Sequence, residues 1–299
     1  MMQPFTYLPP QIDIHDAGLA TVLTNGLAAN LLICAEDRRE SLLALPEFAA
    51  VGAQIALGQK APYSLVLHNT LQLLIFLPAH PTRDHALYKQ VRGWVAPLAG
   101  LKIERLGLHL EGFDEADTTL LAELVLATLL AANVPLPSHK HRSEDPWRYQ
   151  QIAVSPNCVL DLARIYAEAE GNGLARHLAV SPASDLTARS YREWVRQLAQ
   201  SEGWQWHEYD QAQLAERGAG AFIAVARGSE DNQAAMVKLS YCPPNAVRRL
   251  ALVGKGICHD SGGYNLKISG SMYGMHLDMG GSAVALAALH AISRARLPY

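Results

Sequence analysis

Residues 114–134, DEADTTLLAELVLATLLAANV, set the tightest limit on the fold. Acidic residues fill the first turn, where they complement the positive end of a helix dipole, and nearly everything after them is apolar. A helix without a polar face has to be covered on all sides. The covering elements lie close by in the chain. NLLICAED (30–37), YSLVLHN (63–69), LQLLIFLP (71–78) and LKIERLGLHL (101–110) are apolar runs of strand length, bounded by Pro, Asn or Gly. Between them, DHALYKQVRGWVAPL predicts a helix capped by Asp84, with Leu87, Tyr88, Val91, Trp94 and Val95 on one stripe. Strands alternating with helices predict an α/β domain over residues 1–134.

The pattern then breaks. PLPSHKHRSEDPWRYQ (135–150) is rich in proline and charge, without usable periodicity, and reads as a linker. On such a segment His139 and His141 are solvated residues rather than a metal pair. Residues 151–299 return to alternating elements: a helix in PNCVLDLARIYAEAEGNGLARHLAVSP, a helix in TARSYREWVRQLAQSEG with Gly203 at its C-terminus, then WQWHEYD, QAQLAERG, AFIAVARGSE, AAMVKLSYC and RRLALVG. This order predicts a second α/β domain with a largely parallel sheet, in which LALVG is a buried strand. Ligands of such sheets bind beyond the carboxyl ends of the strands.

A net charge of −3 gives no general pull toward nucleic acid or an anionic membrane. Cys34, Cys158, Cys242 and Cys258 lie far apart without a CxxC pair, which argues against a disulfide framework or a thiolate zinc site and for a reducing compartment. The N-terminus lacks a basic and apolar leader, and no stretch approaches the length of a membrane span. A cytoplasmic protein is expected.

The chemistry concentrates in KGICHDSGGYNLK (255–267), directly after LALVG. Lys255 and Asp260 stand at the end of the expected strand, Gly262 and Gly263 allow a tight turn, and Lys267 follows. Asp278 lies just before Gly280, Gly281 and an apolar helix. Two salt bridges would account for four such charges, but burying them for stability alone costs several kcal/mol per ion. A divalent cation is the better explanation. It takes carboxylate oxygens as ligands and accepts a lysine only as the neutral amine, while its charge drives off the proton.

VGKGICHDSGGYNLK followed by MYGMHLDMGGSA resembles the signature region of the leucyl aminopeptidase (cytosol aminopeptidase) family of two-metal exopeptidases. All four charged positions recur at the family's intervals, and a weaker similarity runs back to about residue 175. The resemblance implies a small N-terminal α/β domain joined to a larger catalytic one, usually in a hexamer. It implies Lys255, Asp260 and Asp278 as metal ligands, with Asp260 bridging two zinc or manganese ions. Lys267 would assist at the scissile carbonyl, and Met275 would line the pocket for the substrate's first side chain. One metal would anchor the free amino group of a peptide substrate, and both would activate the attacking water.

The chain departs from the family pattern in having His259 before the aspartate and Ile268 after the lysine. His259 should point away from Asp260, whereas His276, two residues before Asp278, can face the same side. The family's N-T-D-A-E-G-R motif, which adds two acidic ligands and an arginine, does not occur here. The expectation is therefore an N-terminal part of a metalloaminopeptidase that binds at most one ion weakly. The alternative is a non-catalytic relative serving assembly or ligand binding. Ser261 as a serine-protease nucleophile lacks the upstream β-barrel histidine, and Gly256 stands where a phosphate-binding loop needs Ser or Thr. His68, His80, His85 and His109 have no mutual metal-ligand spacing.

Overall fold

A computed structural model describes residues 5–138, 147–156, 158–229 and 233–299. His139 and His141 lie outside the described residues. The chain forms two compact units, one built on Leu8–Val134 with the segment ending at Tyr166, the other on Ala167–Tyr299.

The first unit runs β1 (Gln11–Ile14), α1 (Leu19–Leu23), β2 (Ala29–Ala35), α2 (Arg39–Leu43), α3 (Ala49–Ala56), β3 (Tyr63–Leu67), β4 (Thr70–Leu77), α4 (His85–Gly100), β5 (Arg105–Glu111), α5 (Glu115–Ala132) and β6 (Gln151–Ser155). Its six-stranded sheet has the order β1-β6-β5-β2-β4-β3, parallel throughout except for the β3–β4 hairpin. β2 is buried along its whole length, as an interior parallel strand must be. The expected caps form: Asp84 accepts from the Leu87 N–H (2.9 Å) and Asp114 from the Asp117 N–H (2.8 Å). α5 buries eight side chains, including Leu121, Leu126 and Leu130. Tyr88 departs from its expected stripe and is exposed, on the solvent side of α4.

The expected domain boundary at residue 151 differs from this division. β6 fills the slot between β1 and β5 in the first unit's sheet. Asn133 fixes the approach to it, donating from Nδ2 to the Tyr149 carbonyl (3.0 Å) and accepting from the Tyr149 N–H.

Two polar groups are built into this core. Asn30, opposite Gly107 in the β2–β5 register, donates to the Val22 carbonyl (3.0 Å) and to Gln72 Oε1 (3.1 Å). A Cβ at position 107 would overlap Asn30 Oδ1, so glycine makes room for the amide. His109 faces Ser155 Oγ through Nδ1 (2.9 Å) and Glu111 Oε2 through Nε2 (3.1 Å). A neutral ring protonated on Nε2 donates to Glu111 and accepts from Ser155, satisfying both.

The second unit comprises α6 (Leu162–Val180, largely within it), α7 (Ala188–Ser201), β7 (Gln205–Tyr209), α8 (Gln211–Glu216), α9 (Gly220–Ala226), β8 (Met236–Ser240) and α10 (Gly280–Arg294). Leu174, Leu178, Tyr191, Val195, Met279, Ala283 and Leu286 form its core. Gly171 lets α6 approach α10 closely: a Cβ there would lie 2.8 Å from the Ala287 carbonyl oxygen. Gly203 adopts φ +69 just after α7, as its position predicts.

The sheet of this unit corrects the expectation. β7 and β8 pair antiparallel, and among the described residues no third strand joins them. The LALVG run is not a buried strand. Residues 249–254 have no regular secondary structure, and Val253 is 96% exposed. Among the described residues the run meets no strand partner; its end is docked instead on the first turn of α10.

Two outcomes are expected. Gly107→Ala lowers the stability of the first unit by about 1–3 kcal/mol, read by chemical denaturation, because the added methyl displaces Asn30. Burial holds the His109 imidazole below its ordinary range, with Glu111 opposing the shift. The unfolded chain therefore takes up the proton first, and stability present above pH ~6.5 is lost as the pH falls through that value. His109→Gln should flatten the decline in Tm between neutral and mildly acidic pH.

Candidate metal centre

Lys255 is placed by backbone rather than by a strand. The Ser282 N–H, in the first turn of α10, donates to the Lys255 carbonyl (2.8 Å). Glycines make the approach possible: a Cβ at Gly254 would lie 2.5 Å from both the Gly281 carbonyl oxygen and Ser282 Cα, and one at Gly281 would lie 3.0 Å from the Lys255 nitrogen. Asp278 sits in a short 3-10 turn, Met275–Met279, that runs directly into α10 after Gly274 (φ +82). Between them the chain folds back through Gly262 (φ +88), and the Lys267 N–H donates to the Ser261 carbonyl (2.9 Å).

The four charged side chains meet as two pairs. Lys255 Nζ lies 2.7 Å from Asp278 Oδ1, and Lys267 Nζ lies 3.3 Å from Asp260 Oδ2. The Gly262 N–H donates to Asp260 Oδ1 (3.0 Å). That bond, then the Lys267 contact and the charge of Lys255, holds the Asp260 carboxyl below the usual carboxylate range. Asp278 Oδ2 is buried and, among the described residues, has no hydrogen-bond partner. Leaving a carboxylate oxygen buried and unpaired is costly, and a cation beside it removes the penalty. Asp278 Oδ2 is the unclaimed oxygen that fits a cation, with Lys255 beside it, while Asp260 belongs to the separate pair with Lys267.

Met275 is half-buried in the same turn as Asp278. His259 is exposed and His276 half-buried; among the described residues neither joins the two aspartates in a three-ligand group. A grouping not foreseen from the sequence lies in the first unit, where ligand atoms of His80, Asp114 and Asp117 come within 4.8 Å of one another. His80 Nδ1 is 2.8 Å from Asp117 Oδ2, which raises the imidazole's proton affinity. Asp114 is the N-cap of α5, so helix capping and the contacts of His80 with Asp114 and Asp117 account for this group. A histidine 34 residues upstream of a cap carries no local signal of it.

The catalytic-domain model of the cytosol aminopeptidase family matches residues 173–299, the stretch that contains all four charged positions. A probable cytosol aminopeptidase of Leifsonia xyli is 41% identical over 220 residues, covering 72% of this chain and 43% of that protein. The chain belongs to the cytosol aminopeptidase family. Tomato leucine aminopeptidase shares its fold, with a TM-score of 0.77 over 99% of this chain and 62% of its own, at 19% identity. BotP, a bottromycin maturation enzyme solved in complex with Mn, superposes with a TM-score of 0.68 at 26% identity, over 91% of this chain and 57% of that one. The chain spans about half the length of the curated cytosol aminopeptidases it matches. No helix among the described residues is long and apolar enough to cross a membrane.

Gly254→Ala tests the docking of this segment. The substitution should lift residues 254–256 from α10 at a cost of about 1–3 kcal/mol. Thermal melting should fall, and limited proteolysis should accelerate between β8 and the Met275–Met279 turn, with helix content unchanged by circular dichroism.

Proposed function

We propose that the chain carries part of the metal centre of an aminopeptidase acting on the free amino end of peptides, with Lys255, Asp260 and Asp278 as metal ligands. The observation that carries the reading is the unclaimed, buried Asp278 Oδ2 beside Lys255 and Asp278's own ion pair, inside the segment that matches the family's catalytic domain. A bound divalent ion supplies the positive charge that activates water and polarises a peptide carbonyl.

The chain's own residues have separate tasks in this reading. Asp260 is kept ionised by the Gly262 N–H and by Lys267, so it meets a cation without first losing a proton. Lys255, freed from its pairing with Asp278, would hold the ion as the neutral amine, its proton passing to solvent. Lys267, released from Asp260, stays charged and turns its ammonium toward the scissile carbonyl, favouring the negative charge that develops on oxygen. Met275 offers an adaptable apolar wall for the substrate's first side chain. Manganese and zinc are the ions proposed, a hexamer the assembly, and the cytoplasm the compartment.

Charge sets how far the 299 residues go alone. Two divalent ions bring four positive charges, against two negative charges from Asp260 and Asp278. One ion is therefore held, weakly, and peptide hydrolysis does not occur. A non-catalytic role in assembly or ligand binding is the second reading, favoured by the fact that both lysines already have carboxylate partners. Titrating the purified chain with Mn(II) should show one weak site that Asp278→Ala abolishes. No leucine should be released from leucyl-p-nitroanilide in the same buffer. Leucine release, or two tightly held ions, overturns the charge argument. Absence of any Mn(II) site supports the non-catalytic reading.

A further inference from the structure

Ser282, the third residue of α10, touches the backbone on both sides of the Lys255–Asp278 pair. Its N–H donates to the Lys255 carbonyl (2.8 Å), and its hydroxyl donates to the carbonyl of Met279, the neighbour of Asp278 (2.7 Å). Tyr191, on α7, reaches the same hydroxyl: its phenol oxygen lies 3.1 Å from Ser282 Oγ. A serine has one hydroxyl proton. With that proton on the Met279 carbonyl, Tyr191 is the donor in the remaining contact. Burial pushes the Tyr191 phenol up to about 12, so it keeps its proton at neutral pH. The aromatic ring packs in the core with Met279 and Ala283, and the hydroxyl is spent on Ser282.

The three bonds form a line from α7 to the ligands. Tyr191 O–H fixes the Ser282 hydroxyl, the hydroxyl fixes the carbonyl next to Asp278, and the Ser282 N–H fixes Lys255. Gly254 and Gly256 complete the fit, since a Cβ at Gly256 would meet Ser282 Oγ at 3.4 Å. A ring that served only as core filling needs no hydroxyl here. We propose that Tyr191 and Ser282 are positioning residues for the cation site: Tyr191 locks Ser282, and Ser282 holds the Lys255 amine and the Asp278 carboxylate in mutual register. The inference rests on the assignment of Lys255 and Asp278 as ligands.

Two measurements on the full 299-residue chain test it. One is Mn(II) affinity by calorimetry. The other is the rate at which Lys255 is acetylated by a water-soluble N-hydroxysuccinimide ester without metal, read by mass spectrometry beside Lys267. Tyr191→Phe keeps the ring. It should weaken Mn(II) binding about fivefold, the equivalent of one neutral hydrogen bond, and speed acetylation of Lys255 but not of Lys267. Ser282→Ala should do at least as much, and the double variant should add nothing to it, because Tyr191 acts through Ser282. Should Ser282→Ala fail to fold, Tyr191→Phe carries the test alone. Wild-type Mn(II) affinity in Y191F, with at most a lowered Tm, overturns the proposal while leaving the ligand assignment intact. No Mn(II) binding by the wild type, with faster Lys255 acetylation in Y191F, sinks the ligand assignment and supports the positioning of Lys255. No binding and no change in acetylation overturns both.

Discussion

The contact between the Lys255 backbone and the first turn of α10 is what the second unit's chemistry depends on. Two stretches of main chain meet there with almost nothing between them, at Gly254 and Gly281, and one peptide N–H of the helix is spent on a carbonyl outside it. Such an N–H has no partner within the helix, so the contact satisfies the helix end and places the amine in one arrangement. The far side of α10 is fixed by a second close approach, at Gly171 of α6. Small residues thus anchor the helix in two places, and the side chains at its start inherit that precision.

Charge is distributed along α10 in two different ways. Toward its C-terminus, His290 is almost fully buried between Glu170 (3.4 Å) and Glu202 (3.9 Å), and Arg294 reaches both carboxylates. The two carboxylates are largely buried and share the Arg294 guanidinium, an arrangement that is costly to separate. At its start the Lys255–Asp278 pair is partly exposed, with Lys255 58% accessible at its side chain. Exposed pairs contribute little and exchange partners readily. The unit therefore keeps its fixed electrostatics at one end of the helix and its exchangeable electrostatics at the other.

Sequence reasoning succeeded where the signal was local. Strands β2, β3, β4 and β5 and helices α4 and α5 declare themselves through apolar runs, periodicity and the caps Asp84 and Asp114. The four charged positions were legible as a motif with fixed intervals. What failed depended on partners far along the chain. β6 is five residues long and directly follows a proline-rich stretch, and only its neighbours β1 and β5 make it part of the first sheet. Strand direction has no mark in a five-residue run, so the antiparallel pairing of β7 with β8 was not foreseen. LALVG has the composition of a buried strand, yet burial comes from elements that pack against a run and not from the run itself. Tyr191 lies in a helix that the sequence predicts, but its hydroxyl partner is 91 positions away.

The exposed Leu250 to Val253 run also bears on how the protein behaves in bulk. Exposed apolar side chains on a stretch that no strand claims among the described residues offer a template for strand addition between molecules. The same stretch leads directly into the Lys255 segment, so exposed apolar surface and the charged motif share one piece of chain. Whatever shields those four side chains in the cell sets the protein's solubility as well.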